Sequence, residues 1–183
     1  MSSKKQKTTG NAIPHPPLPT NNLVSPLLTD MYQLSMTYAY YISNRHNDAS
    51  VFELFFRAPP FDGEICIFAG LDEVLKHLAN FKFITEDIEY LKTLIPNATP
   101  LFWSYLAALD CTSITVSAQK QGSLVFPRVP LLRLEGPLGI CQLLETTLLT
   151  LVNYPSLVCT NAARMRLAAG PKSVLLEFGL RRA

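Results

Sequence analysis

Apolar side chains recur at helical spacing in three segments of the first hundred residues, and each segment is predicted to form an amphipathic helix. The first follows Thr29 and Asp30, either of which can cap a helix. The second covers residues 70–80, and the third covers residues 86–95 behind a capping Thr85. The expected buried positions are Met31, Leu34, Tyr38 and Tyr41 or Ile42 in the first helix and Leu71, Val74, Leu75 and Leu78 in the second.

Residues 50–57 instead alternate between apolar and polar side chains, with Phe52 and Leu54 on one face, which predicts a half-buried strand. A turn at residues 61–63 leads into residues 64–68, so the two segments are predicted to pair as a β-hairpin. A short helix beginning at Pro100 carries Trp103, an expected core residue. Glycines and prolines then separate three further predicted strands, at residues 113–118, 123–126 and 130–135.

Gly136 is the predicted domain boundary, because the order of elements changes there. Two helices are predicted after it, at residues 138–153 and 156–169, followed by a short apolar strand at residues 174–176. This order of helix, helix and strand is typical of entry into a second α/β unit.

Composition narrows the class of protein. The chain has 183 residues, is 48% hydrophobic and carries a net charge of +2, which is too weak to indicate nucleic-acid binding. Its richest apolar stretch, residues 143–152, is broken by Glu145 and several threonines, so no membrane span is expected. Residues 1–22 combine lysines and prolines without apolar periodicity, and we expect a disordered tail that lacks the features of a signal peptide.

The cysteines and histidines show no ligand spacing. We expect the cysteines to be reduced core residues of a cytoplasmic protein, and the histidines to be surface residues rather than metal ligands. The cysteines are Cys66, Cys111, Cys141 and Cys159, and the histidines are His15, His46 and His77.

Two stretches carry candidate binding chemistry. Asp30 and Tyr32 lie together at the start of the first helix, close to free backbone N–H groups that favour an anion or a sugar, although a simple helix cap explains Asp30 equally well. In SVLLEFGLRR, residues 173–182, Phe178 can stack on a planar ring and Arg181 can bind phosphate or carboxylate. A buried strand with a solvated basic tail is the alternative interpretation.

Five motifs resemble nicotinate phosphoribosyltransferases, in that family's order, between residues 27 and 183: LLTDMYQLSM, VFELFFRAPP, GLDEVL, LLETTLLTLVNYPSLVCTNAARMR and AAGPKSVLLEFGLRRA. The resemblance implies an α/β fold class, with an α+β N-terminal domain followed by the beginning of an irregular α/β barrel of the type II phosphoribosyltransferase kind. The expected division is a tail at residues 1–22, the N-terminal domain at residues 23–136 and a truncated barrel domain at residues 137–183.

This resemblance also implies a reaction and its partners. The family makes nicotinate mononucleotide from nicotinate and phosphoribosyl pyrophosphate in NAD salvage, with ATP hydrolysis and Mg²⁺, and it works as a homodimer that shares its active sites. Tyr32 is expected to stack on the pyridine ring from across the dimer with Asp30 beside it, and Arg57 to reach phosphate from the same side. Phe178 is expected under the ring and Arg181 at the 5-phosphate.

The chain also departs from the family. Relatives continue well beyond this region with a catalytic histidine and phosphate-holding loops, so we expect no catalytic residue and no metal site here, and no activity from this chain alone. A non-catalytic truncated partner that dimerises with a full-length subunit and modulates it is the alternative hypothesis. A related enzyme acting on nicotinamide or quinolinate is disfavoured by FELFFRAPP and LLEFGLRR. Asn161 and Arg164 either contribute to the site or tie their helix to neighbouring loops.

Overall fold

The structure, a computed structural model, describes residues 16–59 and 62–179. His15 and Arg181 therefore lie outside the described residues. The mixture of helices and strands confirms the α/β fold class. In chain order the elements are α1 (Met31–Ile42), β1 (Ala49–Leu54), β2 (Cys66–Ile67), α2 (Leu71–Asn80), α3 (Thr85–Leu94), α4 (Pro100–Ala108), β3 (Thr115–Ala118), β4 (Leu124–Val125), β5 (Leu132–Pro137) and α5 (Leu138–Ala169).

The main sheet has the order β1-β5-β3, and all of its pairs are antiparallel. Along β1, Ala49 lies opposite Pro137 and Leu54 lies opposite Leu132. β2 instead pairs with β4 in a separate two-stranded sheet, so the predicted hairpin between residues 50–57 and 64–68 is wrong. The alternation in β1 correctly identified its buried face, but a period of two does not specify which strand lies alongside.

α5 packs against the sheet and against α1 and α2, and the core lies between these elements. Trp103 is buried, as predicted. Each large apolar side chain removed from water in this core contributes roughly 2 kcal/mol. The largest fully buried apolar side chains are Phe68, Val74, Leu91, Phe102, Leu106, Leu132, Ile140, Leu143 and Leu144.

The predicted break between two helices at residues 154–155 does not exist, because α5 runs without interruption past Pro155. Two hydrogen bonds from the β2–α2 connection stabilise the helix just after Pro155. The Ser156 hydroxyl accepts a hydrogen bond from the backbone N–H of Ala69 at 3.0 Å, and the Thr160 hydroxyl accepts one from Ile67 at 2.9 Å. Proline removes one backbone hydrogen bond from a helix and tends to kink it. The two tertiary hydrogen bonds stabilise the helical geometry of the residues after Pro155.

His77 is buried and His46 is half-buried, although both were expected on the surface. His77 is 2% exposed and packs edge-on against Phe81, with ring centroids 5.5 Å apart. Leu75, which was predicted to be buried on the same helix, is 47% exposed. His46 is half-buried, and its ring lies 4.8 Å from that of Tyr105. The apolar pattern predicted the buried stripe of this helix only approximately, since the stripe includes His77 and leaves Leu75 outside.

α1 buries a partly polar stripe. Leu34 is buried as predicted, but Met31 and Ile42 are exposed, at 45% and 61%. In their place the polar side chains of Gln33 and Thr37 are fully buried. A polar side chain is stable in such a position only when it is hydrogen-bonded, and both are bonded here.

The segment after α5 does not form the predicted strand. No strand among residues 16–59 and 62–179 pairs with residues 174–176, and Val174 and Leu176 are 81% and 73% exposed. An apolar run becomes a strand only when a neighbouring strand satisfies its backbone groups. The predicted domain division stays a prediction, although Gly136 lies within β5 opposite Ser50.

No helix within the described ranges combines the length and the apolar character that crossing a membrane requires.

Candidate functional site

The first turn of α1 is held against α5 by the side chain of Asp30. Asp30 occupies the N-cap position, but its carboxylate accepts no hydrogen bond from the helix backbone. Its Oδ2 atom instead accepts a hydrogen bond of 2.8 Å from the Thr146 hydroxyl on α5. The simple capping interpretation of this side chain is therefore wrong, and the carboxylate links two helices.

The ring of Tyr32 is 47% exposed, and its hydroxyl points at α5. That hydroxyl donates a hydrogen bond of 3.1 Å to Oε1 of Glu145. Loss of solvent raises the pKa of Tyr32, and the hydrogen bond to Glu145 and the negative charges of Glu145 and Asp30 raise it further. The phenol therefore stays neutral, and its ring is available for stacking on a planar ligand.

Behind these exposed groups lies a buried pair of amides. The Gln142 Nε2 atom donates to Oε1 of Gln33, and it also lies 3.3 Å from Oε2 of Glu145. Gln33 donates in turn to the Thr146 hydroxyl at 3.4 Å, and the Tyr40 hydroxyl donates to Gln142 at 3.3 Å. We call the connected set the α1–α5 network; its members are Asp30, Tyr32, Gln33, Tyr40, Gln142, Glu145 and Thr146.

Arg57 lines an open groove of about 530 Å³ between the end of β1 and α5. Glu145 lines the same groove, and Leu134, Leu144 and Leu148 contribute to its apolar walls. Within the described ranges the guanidinium of Arg57 has no hydrogen bond or ion pair, and the residue is exposed. A guanidinium in that state can bind a phosphate or carboxylate group of a ligand. Glu145 thus connects the Tyr32 hydroxyl with the groove of Arg57.

The structure does not bring every predicted residue together. Phe178 is 86% exposed, and no described hydrogen bond or ring contact joins it to Asp30, Tyr32 or Arg57. Arg181, as noted, lies outside the described residues.

Asn161 and Arg164, the two TNAARMR residues with an open role, differ in their contacts. Arg164 lies 3.5 Å from the carbonyl oxygen of Ile65, which fits the interpretation that it ties its helix to a neighbouring loop. Asn161 is half-buried and makes no side-chain hydrogen bond among the described residues.

Sequence reasoning missed Gln142, Glu145 and Thr146 as site residues. A signal for them was present, because they interrupt an apolar run at helical spacings of three and four residues and so share one face of α5. The interruption was used only to argue against a membrane span. These polar residues also mark the face of α5 that packs against the polar stripe of α1.

No metal-binding group of three or more histidine, cysteine or acidic side chains occurs among residues 16–59 and 62–179. All four cysteines are free thiols, as predicted, and Cys66 and Cys141 are buried. Burial raises the pKa of Cys111 to about 12, so this thiol is not an activated nucleophile. The groups suited to ligand binding on this surface are an exposed aromatic ring, two carboxylates and a guanidinium without a described partner.

Comparisons of sequence and of structure show similarity to nicotinate phosphoribosyltransferases. A model of the nicotinate phosphoribosyltransferase (NAPRTase) N-terminal domain matches residues 27–153. Nicotinate phosphoribosyltransferases of Dictyostelium discoideum and Caenorhabditis elegans are 54% and 55% identical to this chain, over 90% and 89% of its length but only 28% and 29% of theirs. The crystal structure of human nicotinic acid phosphoribosyltransferase matches with a TM-score of 0.78 and 51% identity, covering 85% of this chain and 31% of that one. The chain therefore spans less than a third of the length of these relatives.

Proposed function

The chain belongs to the nicotinate phosphoribosyltransferase family, an enzyme family, and from this premise we propose that it is the N-terminal part of an enzyme that joins nicotinate to phosphoribosyl pyrophosphate. The product is nicotinate mononucleotide, an intermediate of NAD biosynthesis, and the reaction is coupled to ATP hydrolysis. The resemblance seen in the sequence motifs is confirmed at the level of the family.

In this proposal the exposed ring of Tyr32 stacks on the pyridine ring of nicotinate, with Asp30 beside it. Arg57 binds an anionic group, which is a phosphate of the second substrate. The observation that carries the assignment is the role of Glu145, which hydrogen-bonds to Tyr32 and lines the groove of Arg57. A ring-binding and an anion-binding element are thus adjacent on one surface, as a ligand with both features requires.

We also propose that this surface completes a site in a homodimer. Tyr32 and Arg57 both face solvent, which fits groups that contact a ligand held by another subunit. Phe178 and Arg181 are assigned to the ring and the 5-phosphate of the substrate that the partner's segment helps to bind. The proposed location is the cytoplasm, because free, unpaired cysteines fit a reducing compartment.

Magnesium and ATP are not assigned to this segment. Among the described residues no three histidine, cysteine or acidic side chains lie together as a metal-binding group. A ribosyl transfer must neutralise several phosphate charges before the ribosyl bond breaks, and Arg57 alone does not provide that. We therefore propose that the 183-residue chain by itself is inactive and that the rest of the site comes from regions found in the longer relatives.

A modulating partner of a full-length subunit is the second candidate function. Exposed apolar side chains favour it, since Leu167, Val174 and Phe178 are each more than 80% exposed. Such a surface is typical of a chain that associates with another. Co-purification of the tagged chain with a full-length subunit, followed by assay of that subunit, tests this function.

The main test uses a fusion in which residues 27–179 replace the matching part of the Dictyostelium enzyme. Tyr32→Ala should raise KM for nicotinate by roughly fivefold, because stacking contributes ~1 kcal/mol per aromatic face. Tyr90→Ala is the matched control, since Tyr90 is similarly exposed but lies on α3, outside the α1–α5 network. An unchanged KM together with a lowered melting temperature would show that Tyr32 is only structural.

A further inference from the structure

Two consecutive residues of α5 contact the two α1 side chains assigned to the ligand. Glu145 accepts the hydrogen bond of the Tyr32 hydroxyl at 3.1 Å. Thr146 donates to the Asp30 carboxylate at 2.8 Å. Neither Glu145 nor Thr146 is fully exposed, and each has a second partner in the buried part of the network.

We propose that Glu145 and Thr146 are positioning residues for substrate recognition: Glu145 sets the orientation of the Tyr32 ring, and Thr146 sets that of the Asp30 carboxylate. The proposal rests on the proposed function, since it assigns these residues to the same nicotinate site. It adds two residues, on a helix distant in sequence, that act through Tyr32 and Asp30 rather than by touching the substrate.

The geometry at Asp30 argues against a purely structural role. A capping carboxylate stabilises the first turn of a helix, and Asp30 stands at the position where it could do so. Its carboxylate is turned toward Thr146 instead. α1 therefore lacks the capping hydrogen bond, and the carboxylate links α1 to α5. A carboxylate held by one external donor keeps its remaining lone pairs free for a ligand.

The buried amides explain how the two positioning residues are themselves held. Gln142 bonds to Glu145, and Gln33 bonds to Thr146, while the two amides bond to each other. Gln33 and Gln142 are 0% and 3% exposed, so their hydrogen bonds cannot easily be replaced by water. Rigid support of this kind is what a ligand-binding ring requires, because a displaced aromatic face loses its stacking partner.

The charges that face Tyr32 come from both helices. Asp30 on α1 and Glu145 on α5 are the acids that act on its phenol, and neither forms an ion pair with a described cation. The ionisation of Tyr32 therefore reports whether the Glu145 carboxylate lies beside the Tyr32 hydroxyl.

The first test uses the 183-residue chain itself and needs no substrate. Carbon-13 labelling of tyrosine Cζ, with Tyr32→Phe to assign the signal, allows the ionisation of Tyr32 to be followed by NMR. Glu145→Gln should lower the pKa of Tyr32, because the neighbouring negative charge disappears, while Glu89→Gln on α3 should leave it unchanged. An unaltered Tyr32 titration in Glu145→Gln would overturn the proposal.

The second test uses the fusion enzyme and a pair of variants at one position. Thr146→Val should raise KM for nicotinate by about fivefold with kcat nearly unchanged, and Thr146→Ser should restore it, because serine keeps the hydroxyl. If Tyr32→Ala has no effect either, the proposed function has failed. If Tyr32→Ala acts but Thr146→Val does not, the positioning role alone has failed. If the fusion is inactive, the Tyr32 titration decides.

Discussion

Gly70 and the carbonyl oxygen of Leu151 are in direct contact: a methyl group on Gly70 would lie 2.1 Å from that oxygen. Gly70 also has a φ of +97°, in the left-handed region that strains other residues. One residue earlier, the backbone N–H of Ala69 donates to the Ser156 hydroxyl. The start of α2 is thus seated on the backbone of α5, and only glycine permits that approach.

Gly70→Ala should accordingly lower the free energy of unfolding by about 3 kcal/mol or more, because it adds a backbone clash to the conformational strain. Urea unfolding followed by circular dichroism measures the change. Gly122→Ala is the matched control: its φ is +84°, but open space surrounds it, so only the strain of about 1 to 2 kcal/mol applies. An equal decrease in the free energy of unfolding in the two variants would show that the contact with Leu151 does not contribute to stability.

The buried histidine of α2 should make the fold sensitive to acid. Burial lowers the pKa of His77 from 6.5 to about 4, so below pH 6.5 the unfolded chain takes up a proton that the folded chain refuses. Stability should therefore be complete above pH 6.5 and fall as the pH decreases toward 4, by about 3 kcal/mol in total.

The measurement is the urea midpoint at about pH 7, 5.5 and 4.5. His77→Phe should flatten this dependence, whatever it does to the stability at neutral pH. Glu73→Gln is a useful comparison, since hydrogen bonds from Lys76 and Thr20 lower the pKa of Glu73 from 4.5 to about 2. The stabilisation from Glu73 is lost only below pH 4.5. If the stability of His77→Phe still falls between pH 7 and 4.5 as steeply as that of the unaltered chain, the assignment to His77 is wrong.

Glu73 should also anchor the N-terminal segment to α2. Its carboxylate accepts hydrogen bonds from the backbone N–H of Thr20 at 2.7 Å, the Thr20 hydroxyl at 2.6 Å and Lys76 at 2.6 Å. Glu73→Ala should speed amide hydrogen exchange at Thr20 by about tenfold, because a hydrogen bond to a charged group is lost. Asp72→Asn, which changes the neighbouring acid, should leave that amide unaffected. Equal exchange in both variants would mean that Glu73 does not anchor the segment.

The exposed apolar segment after α5 should drive self-association of the isolated chain. Val174, Leu176 and Phe178 are all more than 70% exposed, and their backbone groups form no backbone hydrogen bond with other described residues, which is typical of an association-prone edge. We expect oligomers at micromolar concentration in size-exclusion chromatography with light scattering, and a shift toward monomer when the three side chains are replaced by serine. Leu23→Ser, at an equally exposed but isolated leucine, should not cause that shift. A monodisperse monomer of the unaltered chain would contradict this prediction.

The sequence by itself determined the local elements. Helical periodicity placed α2 and α3 to within one residue at each end, and alternation identified Phe52 and Leu54 as the inner face of β1. It also determined the family, because several motifs in a fixed order are far more specific than any one. The motifs LLTDMYQLSM and VFELFFRAPP also predict Asp30, Tyr32 and Arg57 as site residues, through their resemblance to the family. These properties depend on residues close together in the chain.

Tertiary structure decided what depends on distant partners. β5 rather than β2 lies beside β1. α5 continues past Pro155, where Ser156 and Thr160 are hydrogen-bonded to the β2–α2 connection. The Asp30 carboxylate is turned away from its own helix and toward Thr146. Each outcome is a competition between a local preference and a contact made by a residue far along the chain. A periodic pattern predicts only the local preference. The contact between the polar face of α5 and Tyr32 therefore depends on the packing of the helices and was not predicted from the sequence.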